Sequence, residues 1–67
     1  MTPNTRQIFR VELLVNTKIQ PLEIILVKEV IARGEEDAAI LAIFLIKKEY
    51  PSARWVKIDP WYVERIH

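Results

Sequence analysis

A chain of 67 residues with no cysteine, one histidine and a net charge of +1 is narrowly bounded from the start. It holds one domain at most, it has no disulfide or thiolate metal site, and its charge balance gives no strong electrostatic case for nucleic acid or an anionic membrane. Apolar residues make up 51% of it, yet a domain this small buries only roughly 60% of its unfolded surface, so self-association or a partner is the available source of extra stability.

Residues 1–5 read as a frayed polar start. The opening "MTPNTRQ" has no apolar signal-peptide core, so a cytoplasmic location is expected. Over residues 7–15 the apolar positions alternate. Phe9, Val11, Leu13 and Val15 share one face and Arg10 and Glu12 the other, the pattern of a half-buried strand. "NTKIQP" follows, with a turn at Asn16-Thr17. Residues 22–32 have two readings. Pro21 and Gly34 would start and stop a helix there. However, Glu23, Lys28, Glu29 and Arg33 gather on no helical face, and five of the eleven residues are Ile or Val. That composition favours a second strand. Lys28-Glu29 breaks its alternation and marks a bulge or the end of pairing.

The clearest element comes next, a helix over roughly 35–49. Gly34 is an acceptable N-cap, and Glu35, Glu36 and Asp37 place negative charge at the positive end of the helix dipole. Lys47 and Lys48 sit at the other end, and Pro51 forbids continuation. Residues 53–58 alternate again, with Val56 and Ile58 on one side and Trp55, Lys57 and Asp59 on the other. Pro60 interrupts, and 61–66 either resumes as strand or wraps as a tail. The order is β-β-α-β. It predicts one α+β domain over 1–67, a three-stranded antiparallel sheet with one helix on one face and the first strand in the centre.

"VIARGEEDAAILA" resembles the strand-turn-helix entry of short phage and mobile-element proteins. There a strand ends in Ala, acids open a helix, and Ala, Leu and Ala follow as Ala38, Leu41 and Ala42 do here. "KKEYP" (Lys47, Lys48, Glu49, Tyr50, Pro51) closes the helix in the same manner. Length and element order are similar to those of the small phage inhibitor of bacterial RNA polymerase and of several anti-CRISPR proteins. The resemblance implies a protein that binds a large host machine and blocks it. The chain departs from the pattern at positions 39, 40, 43 and 44, usually polar and here Ala, Ile, Ile and Phe.

That departure concerns "DAAILAIFLI", nine apolar residues behind one acid and far short of the ~20 that a membrane span needs. Ala38, Leu41, Ala42 and Leu45 form one stripe suited to the sheet. Ala39, Ile40, Ile43, Phe44 and Lys47 form another. Either the monomer covers this second stripe, or a homodimer does, or a foreign partner does. A homodimer interface is the assignment adopted. Trp55, Lys57, Trp61, Tyr62 and Arg10 are the candidate partner-binding residues. Interleaved aromatic and basic residues also serve single-stranded nucleic acid, so a nucleic-acid module using the sheet face or the Arg54, Lys57 and Arg65 side is the alternative. A structural viral oligomer is a third reading. Glu35, Glu36 and Asp37 are explained by the helix dipole, His67 by solvent, and no catalytic set, metal or cofactor is expected. The expected function is a non-enzymatic protein that inhibits a host protein complex by steric occlusion.

Overall fold

The computed structural model describes residues 6–66; residues 1–5, expected to fray, and His67 lie outside them. The elements are β1 (Gln7–Thr17), β2 (Ile24–Ala32), α1 (Glu35–Glu49) and β3 (Trp55–Arg65). The fold is the expected α+β arrangement, with a three-stranded antiparallel sheet in the order β2-β1-β3. β1 is central because it alone offers an unbroken apolar alternation. Phe9, Val11, Leu13 and Val15 are all buried under the helix.

Residues 24–32 are strand, and no bulge interrupts them. Arg10 opposes Glu29 and Val11 opposes Lys28 without a shift. Lys28 therefore points its stem to the helix side, beside Val11. Its ammonium escapes burial by reaching Glu49 at the end of α1, at 2.5 and 2.6 Å. The sheet can thus accept a polar pattern that a helix could not. The β1–β2 turn is closed by Thr17 N donating to Gln20 O and Gln20 N donating to Thr17 Oγ1.

The irregularities lie in β3 instead. Its pairing with β1 shifts between Glu12 and Leu14, and again between Asn16 and Thr17. The strand continues through Pro60 because edge strands tolerate proline. The second shift overturns the expected alternation of 53–58. Ile58 opposes Val15 and Trp55 opposes Thr17, so Trp55 joins Ile58 against the core. It does not stand beside Lys57 and Arg10 on the open face.

The helix begins at Gly34 and ends at Tyr50, whose N–H donates to Ile46 O. Its buried line is Ala38, Ala42 and Ile46, four residues apart. Leu41, Ile43 and Leu45 are half-buried flanks. Two expectations are corrected here. Ile46 takes the central position assigned to Leu45, and Ile43 packs on the core rather than standing in the outer stripe. An apolar segment with this little amphipathicity leaves the roll of the helix to the sheet beneath it.

Gly34 has extended backbone (φ −168°), makes no side-chain cap, and a Cβ there would meet nothing within 4 Å. Gly34→Ser should therefore add a cap and reduce the freedom of the unfolded chain. The expected gain is about 0.5–1 kcal/mol, seen as a rise of roughly 4 °C in thermal melting. Serine suits the position better than aspartate, because three acids already crowd the first turn.

Candidate functional site

Three surfaces follow from this geometry. The first is the outer ridge of α1. Ile40 and Phe44 lie one turn apart and are 60% and 59% exposed. Glu36 lies one turn before them and Lys48 one turn after, so the ridge is acidic at one end and basic at the other. Of the residues expected in this stripe, Ile40, Phe44 and Lys47 are exposed, and Ala39 and Ile43 are half-buried.

The second is the open face of the sheet. Register places Ile8, Arg10, Glu12, Leu14 and Asn16 there, with Ile31, Glu29, Val27 and Ile25 on one side and Glu64, Tyr62, Asp59 and Lys57 on the other. Its two cations are matched by acids: Arg10 lies 3.8 Å from Glu12, and Lys57 lies 2.6 Å from Glu23. Glu29, Asp59 and Glu64 add further negative charge. Such a face carries more acids than cations, a balance that does not favour phosphates.

The Lys57–Glu23 pair joins β3 to the segment leading into β2, across the central strand. The hydrogen bond that Lys57 donates to Glu23, and the charge of that carboxylate, raise the Lys57 pKa above the ordinary 10.5. A raised lysine pKa stabilises the fold at every pH below the ordinary value, and this contribution disappears as pH rises through the raised value. Melting curves of the protein and of Lys57→Gln, taken between about pH 9 and 12, should differ by a constant amount at the lower end and converge at the upper. A gap that widens with pH would contradict this assignment.

The third surface is a corner on β3. Trp61 and Tyr62 are 51% and 41% exposed, with ring centroids 5.8 Å apart and planes tilted by 42°. Tyr62 opposes Glu12, whose carboxylate is paired with Arg10. The fold therefore sets Tyr62 diagonally across from Arg10, with Trp61 beside Tyr62, and places Trp55 elsewhere. Trp55 instead packs edge-to-face on Tyr50, at 6.1 Å and 75°.

Sequence reasoning missed one feature altogether, a pocket of about 240 Å³ at the turn end of the sheet. Val15, Ile24, Leu26, Tyr50, Ala53 and Trp55 supply its apolar wall. Asn16 Oδ1, on a further lining position, and Trp55 Nε1 are buried without a hydrogen-bond partner among the described residues. An apolar side chain or small molecule with one donor and one acceptor would suit such a wall. No local sequence signal marks it, since it forms where the β1–β2 turn meets the chain leaving α1.

Among the described residues, no group of three or more His, Cys, Asp or Glu is placed to hold a metal ion, and no helix is long and apolar enough to cross a membrane. Comparison with protein-family models, with curated proteins and with solved structures finds no match to the chain.

Proposed function

We propose that this chain is a non-enzymatic binding protein of phage or mobile-element type, which docks on a host protein complex in the cytoplasm and inhibits it by occupying its surface. The observation that carries this reading is the Trp61–Tyr62 corner. Two adjacent aromatic rings, both about half exposed on one strand, belong to the side-chain types most enriched at binding hot spots. Arg10, Glu12 and Glu64 lie around Tyr62 on the open face and supply a polar rim that sets register. The acid-rich open face supports a protein partner over nucleic acid.

The test is affinity capture from bacterial lysate by the protein and by the Trp61→Ala/Tyr62→Ala double variant, in parallel. One host complex should be enriched by the first and lost by the second, because aromatic hot spots are each worth about 2 kcal/mol or more. Both side chains are exposed, so the double variant should keep its fold, which circular dichroism checks. Equal capture by the two proteins, or no enrichment by either, ends this reading.

A further inference from the structure

The sheet has two free edges among the described residues, and they differ. β3 carries Pro60, which has no N–H, and two register shifts, all of which obstruct the addition of another strand. β2 runs for nine residues without proline, glycine or bulge. Ile24, Ile25, Val27 and Ile31 along it are exposed. A long apolar edge of this kind is a template for pairing.

Hydrogen bonding defines what that edge presents. Ile66 N donates to Ile8 O, and Lys18 N donates to Arg54 O. Even-numbered residues of the first strand therefore turn their backbone groups toward β3, and odd-numbered ones toward β2. Phe9 opposes Val30 and Val11 opposes Lys28, so even-numbered residues of β2 bond back to β1. Ile25, Val27, Glu29 and Ile31 aim their N–H and C=O groups away from the sheet.

We propose that β2 pairs antiparallel with β2 of a second copy of this chain, about a two-fold axis at Lys28. The strand's own sequence selects both occupant and register. A two-fold axis perpendicular to the sheet sets one residue opposite its own copy. With Lys28 there, Ile25 meets Ile31, Leu26 meets Val30, and Ile24 meets Ala32. Glu29 meets Val27, and each of the four outward-aimed residues exchanges its hydrogen bonds with its opposite number. An axis at Glu29 would set two carboxylates against each other, which is unfavourable. An axis at Val27 would put Ile25 against Glu29 and shorten the ladder. The two Lys28 ammoniums face each other at the axis, but each is already held by its own Glu49 at 2.5 Å, so the group of four is neutral.

The product is a continuous six-stranded sheet with both helices on one face. The two central strands stand three strand spacings apart, roughly 14 Å, and packed helices need only about 8–10 Å. The helices therefore do not collide, and both Ile40–Phe44 ridges face outward on the same side. The pairing uses the edge opposite the Trp61–Tyr62 corner, so either inference can fail without the other.

The experiment uses the absence of native cysteine. Residues 28 of the two copies would form a non-hydrogen-bonded pair with Cα atoms about 4.5 Å apart, within disulfide range. Oxidised Lys28→Cys should run as a covalent dimer on a non-reducing gel, and Ile31→Cys, whose opposite number is Ile25, should not. No dimer from Lys28→Cys, or equal dimer from both variants, overturns the proposal. Val27→Pro removes only an outward N–H and leaves the β1–β2 ladder whole, so it should weaken the dimer more than about tenfold in analytical ultracentrifugation. A folded Val27→Pro variant that dimerises like the parent overturns the proposal, as does a parent that stays monomeric at high concentration. If Phe44→Lys disperses the dimer and Val27→Pro does not, the copies meet through the helix ridge and the edge pairing is wrong. If Val27→Pro does not fold, the cysteine cross-link decides.

Discussion

Replacing Leu13 by alanine should cost about 2–5 kcal/mol and leave little folded protein at 37 °C. Leu13 is fully buried in the middle of the central strand, with the helix above it. Removing its branched end loses transfer free energy and leaves a cavity that two strands and a helix cannot close. A chain of this length has roughly 3–10 kcal/mol of stability in total, so one such loss takes most of it. Urea unfolding followed by tryptophan fluorescence measures the loss. Phe44→Ala is the matched control, because Phe44 is exposed. Its effect on the isolated domain should stay within about 0.5 kcal/mol. If Phe44→Ala were as damaging as Leu13→Ala, the helix would have to be rolled by half a turn from the orientation described.

The second large effect is expected at Ala42, where the helix meets the sheet. Ala38 and Ala42 are fully buried, and small side chains there let the helix backbone lie close to the strands. Ala42→Leu would push three extra carbons into that contact and should destabilise by about 1–3 kcal/mol. Ile40→Leu, on the solvent ridge, should be close to neutral. Helix propensity falls slightly for Ala42→Leu and rises slightly for Ile40→Leu, by a few tenths of a kcal/mol each, so a difference between their unfolding midpoints well beyond that reports the packing cost. A neutral Ala42→Leu would show that the helix stands off the sheet with room to spare.

Both predictions depend on details that the sequence shows unequally. The helix ends are legible to the residue, because Gly34, three acids, two lysines and Pro51 act within one turn of where they stand. Which helical residues face the sheet is not legible in the same way. Apolar side chains surround this helix almost completely, so periodicity cannot choose between Leu45 and Ile46, or decide whether Ile43 belongs to the core. The strands repeat the contrast. The period-two pattern of β1 identifies its buried face unaided. The alternation of 53–58 sets Trp55 on the side away from the core, because a bulge is a property of two paired strands and the residues of β3 alone do not announce it. The same holds for the candidate site: Trp61, Tyr62, Ile40 and Phe44 stand out by residue type, whereas the pocket beneath Tyr50 and the open edge of β2 exist only once the strands are ordered.

By itself, then, the amino-acid sequence determined the first strand and the helix, favoured a strand over 22–32, placed the first strand in the centre, and showed the lack of thiol chemistry and the excess of apolar side chains over what one small core can hold. These follow from local periodicity, from capping and from composition, which act over a few residues at a time. The tertiary structure alone decided where the excess lies. Sheet order makes β2 an edge, its pairing with β1 turns four sets of backbone groups outward, and the roll of the helix leaves Ile40 and Phe44 in water. Exposure is a relation between segments distant in the chain, and only the packed fold brings those segments together.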